Sequence, residues 1–321
     1  MPPKVSVIIP VYNIEESVGT CLQSVTGQTF RDLEIIVVND GSTDGSLEVI
    51  KRYAATDSRI VIVDKQNEGL AYARRSGLQV ARGEYVQHLD GDDYLEPDAI
   101  EVLYSKAVEE DADMVSFPFY FDYPDRRRET KLATGVYDSV SFIYSTAFCR
   151  NYWAAWSHMH RRSLYDGVTF ERINYGEDVY LTSQLACFAR KIVVIDSHPL
   201  LHYIIRNDSI SFGTFSDQKA RDIETYPRLV RDFYKDKPTY PQVEKALANI
   251  ELGAIALLLS KRRFGDAPRL AKRAMEIERQ FPGLLRQRPA RHWRSLLMAY
   301  AKGERWGRLM KMYYALTRKL K

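Results

Sequence analysis

Four apolar runs constrain this 321-residue chain more than any other feature: "KVSVIIPVYN", "LEIIVVND", "RIVIVDK" and "EYVQHLD" follow one another within the first 90 residues. They are nearly continuous rather than alternating. A strand with that pattern is covered on both faces, which is the condition of a parallel sheet flanked by helices. The segments between them, "EESVGTCLQSVTGQT", "SLEVIKRYAAT" and "GLAYARRSGLQVA", carry helical patterns, with Ser42 or Asp44 available to cap the second. Strands alternating with helices at this spacing require right-handed crossovers and predict a doubly wound, mostly parallel α/β sheet.

Ligands of such sheets bind beyond the carboxyl ends of the strands. Those ends carry Tyr12 and Asn13, Asn39 and Asp40, Asp64, and the aspartates of "DGDD" at 90–93. Beyond residue 98, "PDAIEVLYSKAVEEDADMVSF" continues with a helix and a strand, and "DYPDRRRE" reads as an exposed loop inside an irregular stretch over 120–175. "GEDVYLTSQLACFA" reads as a helix opened by acidic residues, "KIVVID" as a strand, and everything from Phe215 onward as helical.

Composition sets the class. At 45% hydrophobic and 27% charged, the chain belongs with soluble globular proteins and not with disordered ones. Cys21, Cys149 and Cys187 have no metal-ligand spacing, and so sparse a set suits a reducing cytosol. The apolar start is too short for a secretory signal, and the longest apolar run, at 253–259, is too short to cross a bilayer, so the expected location is cytoplasmic. Charge is uneven. Residues 284–321 hold eleven Lys and Arg against Glu304, a net +10 in a chain of net +4, which leaves −6 on the preceding residues. In that tail Trp293, Leu296, Leu297 and Tyr300, then Trp306, Leu309, Met310, Tyr313, Leu316 and Leu320, recur at helical spacing. A basic amphipathic helix suits an anionic membrane surface, here the inner face of the cell membrane, and equally suits packing against the body with a solvated basic face. No recognition motif points to nucleic acid.

No G-x-G-x-x-G follows the first strand and no P-loop motif occurs, so phosphate must be held by other means. "DGDD" brings three like charges to a strand end, where they raise one another's pKa and call for a nearby cation. A hard divalent ion takes carboxylates together with phosphate oxygens, and Gly91 permits a tight backbone there. The same residues read equally well as turn chemistry.

"VSVIIPVYN", "LEIIVVNDGSTDGS", "NEGLAYARRSGL", "ARGEYVQHLDGDDYLEPDAI" and "NYGEDVYLTSQL", in this order and spacing, resemble family 2 glycosyltransferases of GT-A fold, the inverting group that uses nucleotide sugars. The resemblance is dense over 4–98 and resumes over 156–211. It implies a catalytic domain at 1–215, with a nucleotide half (1–105) and an acceptor half (106–215), followed by a helical region at 216–321 ending in the basic tail. It implies that Pro10, Val11 and Tyr12 line the nucleobase and that Asp40 accepts from base or ribose. Asn67, Gly69 and Arg74 are expected to flank ribose and diphosphate, and Arg206 and Ser209 to contact phosphate. Asp90, Gly91 and Asp92 form the metal and nucleotide-sugar loop for Mn2+ or Mg2+, with His202 as a further candidate ligand. Asp178 is the implied base and Glu177 the residue orienting the acceptor, because inverting transfer needs one group to take the hydroxyl proton.

The implied activity is metal-dependent hexosyl or N-acetylhexosaminyl transfer, from a UDP-sugar to a glycan or lipid-linked acceptor in surface polysaccharide synthesis. Two rivals stand beside it. A sugar-1-phosphate nucleotidyltransferase can share this sheet but needs a Gly-rich triphosphate loop, which "IPVYNIEES" lacks. A non-catalytic, membrane-associated glycan- or nucleotide-binding protein would be expected to have lost the aspartates, which are present.

Overall fold

The computed structural model describes residues 2–206, 214–260 and 266–287. The chain divides into two compact units, the first ending at Thr214 and the second starting at Phe215. Ser209 and the tail beyond residue 287, including its aromatic stripe, lie outside the described residues.

The first unit opens with the expected alternation: β1 (Val5–Val11), α1 (Glu15–Thr26), β2 (Leu33–Asp40), α2 (Ser46–Ala54), β3 (Ile60–Lys65), α3 (Leu70–Val80) and β4 (Tyr85–His88). It continues through β5 (Tyr94–Leu95), α4 (Ala99–Glu109), β6 (Met114–Ser116), β7 (Tyr120–Asp122), β8 (Arg127–Glu129), β9 (Gly135–Tyr137) and α5 (Ser139–Ala147). It closes with β10 (His158–Arg161), α6 (Glu177–Phe188), β11 (Ile192–Val194) and β12 (Leu201–Ile204). Eight strands form one sheet in the order β3-β2-β1-β4-β10-β6-β11-β9. β3, β2, β1 and β4 are parallel, while β10 and β9 run antiparallel to their neighbours.

Period-2 geometry explains the continuous apolar runs. Val5, Val7 and Ile9 of β1 point into a core shared with Val18, Leu22 and Val25 of α1 and with Ile100 and Leu103 of α4. Ile8 points the other way, into a core with Ile36, Val38, Val86 and Ala73 of α3. Gly77 lets α3 approach that face: a Cβ there would fall 2.5 Å from Ile8 Cγ2 and 3.2 Å from Val38 Cγ2.

The irregular 120–175 stretch contributes β7 and β8 to a second sheet that the sequence pattern does not announce. Four short strands form that sheet, in the order β5-β12-β7-β8. It abuts the DGDD loop, because the Ile204 amide donates to Asp93 Oδ1 at 2.8 Å. Trp156 is a core residue, stacked on Tyr203 at 5.1 Å between ring centroids.

The second unit contains α7 (Asp217–Tyr234), α8 (Tyr240–Ser260) and α9 (Ala267–Gln280). α8 packs against both of the others and buries Val243, Leu247, Ile250, Ile255, Leu258 and Leu259. No described helix is long and apolar enough to cross a membrane.

Gly77→Val should overpack the α3–sheet contact and destabilise the first unit by roughly 1–3 kcal/mol, read from its urea midpoint. An unchanged midpoint would contradict this packing.

Candidate active site

The ends of β1, β2 and β4 bring the polar loops together by backbone and side-chain hydrogen bonds. Asn13 Oδ1 accepts from the Thr43 amide at 2.8 Å, and Ser46 Oγ accepts from the Ile14 amide at 3.0 Å, so the "PVYN" and "NDGSTDGS" loops are joined. Gly91 sits against the same place. A Cβ on it would meet Ile14 Cδ1 at 2.6 Å, the Pro10 carbonyl oxygen at 2.9 Å and Val11 Cγ2 at 3.2 Å, so only glycine lets the DGDD loop lie on the end of β1. Pro10 and Val11 are buried, while the Tyr12 side chain at the same strand end is 51% exposed and open to stacking.

Asp40 is buried and its oxygens are committed. They accept from the Glu68 amide at 3.1 Å and the Gly69 amide at 2.9 Å, and Oδ1 also pairs with Lys65 Nζ at 3.0 Å. A carboxylate at the start of α3 satisfies amides that the helix leaves unpaired and suits the positive end of its dipole. Asp40 thus shapes the "NEGL" loop and does not cap its own helix. Gly69 has φ +92°, a left-handed conformation that favours glycine, and Asn67 beside it is exposed.

Arg74 departs furthest from its expected role. Its side chain is 0% exposed, and its guanidinium is surrounded by carboxylates. Nη2 donates to Asp90 Oδ1 at 2.8 Å, and Nη1 to Asp178 Oδ1 at 2.8 Å and Glu177 Oε1 at 3.5 Å. The arginine comes from α3, Asp90 from the loop after β4, and the acidic pair from the first turn of α6. A guanidinium buried this way is not offered to a diphosphate. It is the cation that holds three carboxylates at one point.

The field there is asymmetric. Burial disfavours the Arg74 charge, but Asp178, Asp90 and Glu177 outweigh it and raise its pKa above the usual arginine range. Burial first, then the Asp178 charge, pushes Glu177 from near 4.5 up to about 8. Burial also raises Asp178, against the pull of Arg74. The side chains of Glu177 and Asp178 remain 11% and 25% exposed, so a ligand can reach the pair.

Asp92 pairs with Arg206, Nη2 to Oδ2 at 2.6 Å. Asp93 is buried, and burial together with the charges of Asp92 and Asp90 raises its pKa; it ties the loop to β12. His202 is held between two carboxylates, Nδ1 to Asp122 Oδ2 and Nε2 to Glu96 Oε1, both at 2.8 Å, and stacks on Tyr94. With both ring nitrogens engaged it has no lone pair turned toward a cation. Asp90 and Asp92 are therefore the candidate metal carboxylates. Among the described residues no group of three His, Cys, Asp or Glu side chains forms a ready metal cage. Two hard carboxylates two residues apart fit a Mg2+ or Mn2+ ion that completes its shell with substrate phosphates.

Sequence reasoning missed a buried polar layer behind this cluster. His88 Nε2 lies 2.8 Å from Tyr165 Oη, which lies 3.2 Å from His160 Nδ1; both histidines are buried and Tyr165 is partly buried. The one signal was a histidine at an inward position of an apolar strand, directly before "LDGDD".

A model of glycosyl transferase family 2 matches residues 6–170. Glycosyltransferase GlyA of Streptococcus pneumoniae is 36% identical over 223 residues, covering 65% of this chain and 31% of that protein. The chain spans 31% to 66% of the length of GlyA and two similar Bacillus subtilis proteins. Among solved structures, Staphylococcus aureus TarS 1-349 in complex with UDP-GlcNAc superposes with a TM-score of 0.74 at 18% identity, covering 98% of this chain and 92% of that one. The mannosyltransferase PcManGT of Pyrobaculum calidifontis, in complex with GDP-Man and Mn2+, gives 0.55 at 18% identity, covering 94% and 85%. At these identities the structural likeness concerns the fold, which is GT-A.

Because the folded pKa of Glu177 is raised, the native state binds the extra proton between about pH 4.5 and 8. That contribution to stability is complete at low pH and is lost as pH rises through the window. Urea unfolding at pH 5, 6.5 and 8 should show wild-type stability falling more steeply with pH than that of Glu177→Gln. Equal slopes would contradict the assignment.

Proposed function

The chain belongs to glycosyl transferase family 2, and from that membership we propose that it transfers a sugar, with inversion, from a UDP-sugar to a hydroxyl of a glycan or lipid-linked acceptor in surface polysaccharide synthesis. The observation carrying this reading is the convergence of Asp90, Glu177 and Asp178 on Arg74, at the strand ends where Tyr12 and Asp92 also lie.

The residues divide the work by environment. Tyr12 stacks on the base, and the loop shaped by Asp40 and Gly69 flanks the ribose. Asp178, ionised beside Arg74, takes the proton of the acceptor hydroxyl as its oxygen attacks the anomeric carbon and the bond to the diphosphate breaks on the opposite face. Glu177, held neutral by a pKa of about 8, donates a hydrogen bond that orients the acceptor. Arg74 keeps both side chains in register and limits the rise of Asp178. Asp90 and Asp92 would hold Mg2+ or Mn2+, which when bound neutralises the departing diphosphate. Arg206, paired with Asp92, would meet the same phosphates once that pair opens. TarS, solved with UDP-GlcNAc, supports the choice of donor, and PcManGT, solved with GDP-Man and Mn2+, supports the choice of metal. The +10 segment at 284–321 brings the enzyme to an anionic membrane surface where a lipid-linked acceptor resides.

UDP release from a panel of UDP-sugars should fall about 10²–10⁴-fold in Asp178→Asn, the range of a lost general base, while UDP binding persists. Equal turnover in the two proteins would remove Asp178 as the base.

A further inference from the structure

The second unit contains a cavity of ≈ 340 Å3 that the glycosyl-transfer reading does not use. Its size falls at the lower end of the about 300–1,000 Å3 range of ligand sites. The walls are two arginine rows. Arg221 and Arg228 lie seven residues apart on α7, two turns along one face, and Arg269 and Arg273 lie one turn apart on α9. The floor is apolar and includes Ala254, Ile255 and Leu258 of α8.

The charges do not cancel. Four arginines line the cavity against Glu224 and Glu251, a net +2. Glu251 accepts from Arg273 at 2.7 and 3.0 Å and pairs with Arg231 at 2.9 Å. Glu224 takes Arg269 at 2.8 Å. These pairs fix the α9 row and its spacing. The α7 row lacks such compensation: Arg221 donates to the neutral Gln218 Oε1 at 2.8 and 3.2 Å, and Arg228 has no ion pair with a described residue. Two uncompensated guanidinium groups over an apolar floor match a ligand that carries about two negative charges at one end and hydrocarbon at the other. Guanidinium forks fit the tetrahedral oxygens of phosphate in bidentate fashion, and a phosphate monoester carries about −1.5 to −2 at neutral pH.

We propose that this cleft binds the phosphate group of a phosphate ester whose organic part is apolar. Arg221 and Arg228 grip the phosphate, and the floor of α8 covers the hydrocarbon. The site belongs wholly to the helical unit and does not rest on the donor assignment.

Calorimetric titration of the full chain with hexyl phosphate, inorganic phosphate and hexyl glucoside tests it, since these soluble probes separate the charge from the hydrocarbon. Hexyl phosphate should bind at least tenfold more tightly than inorganic phosphate, and hexyl glucoside should not bind. The double variant Arg221→Gln/Arg228→Gln should lose at least tenfold in hexyl phosphate affinity with an unchanged thermal melt, since both side chains are exposed. Saturating UDP-GlcNAc should leave the hexyl phosphate affinity unchanged. Absence of hexyl phosphate binding, equal binding of hexyl glucoside, full affinity in the double variant, or displacement by UDP-GlcNAc would each overturn the proposal.

Discussion

The site depends on one buried charge. Arg74 is fully enclosed, and its guanidinium is the point at which α3, the loop after β4 and the start of α6 meet. Removing a cation and three carboxylates from water carries a large desolvation cost, recovered only when geometry is close and the remaining polar atoms are satisfied. Two contacts at 2.8 Å and one at 3.5 Å supply that geometry, while Arg74 Nε stays buried without a hydrogen-bond partner among the described residues. Breaking such a pair by removing one member typically costs about 3–5 kcal/mol, because the others remain buried and unpaired. The cluster fixes where the three carboxylates stand.

This changes the meaning of the aspartates at the end of β4. Read as sequence, they call for a cation, and a divalent metal is the natural candidate. The fold already supplies guanidinium partners: Arg74 for Asp90 and Arg206 for Asp92. The metal proposed to bind with the nucleotide would join that arrangement rather than fill an uncompensated hole. The same cation separates the two members of "GED". Asp178 has Arg74 at 2.8 Å and is the member proposed as base, whereas Glu177, at 3.5 Å and more deeply buried, is driven toward its neutral form. Unequal environments around paired carboxylates divide acid from base roles in this way.

The first four strands were legible because burial on both faces writes itself into continuous apolar runs. "DGDD" and "GED" were legible as motifs, and Gly91 as a close-packing position. The pairing of Arg74 was not, because its partners lie 16 and 104 residues away and no local period connects them. Asp40 was placed at the right strand end, but its task is set by amides of a loop 28 and 29 residues on. The second sheet escaped because strands of two to four residues are too short to show alternation. His202 looked like a ligand in isolation; Asp122 and Glu96, which occupy both its nitrogens, come from elements distant in sequence.

The most direct test of the account is a crystal structure of the full chain with UDP-GlcNAc and Mn2+. The account predicts the uracil on Tyr12, the diphosphate at Asp90 and Asp92, and the face of the anomeric carbon opposite the diphosphate turned toward Asp178, with Arg74 still buried among its carboxylates. A nucleotide seated elsewhere, or a sugar whose reactive face points away from Asp178, would contradict it.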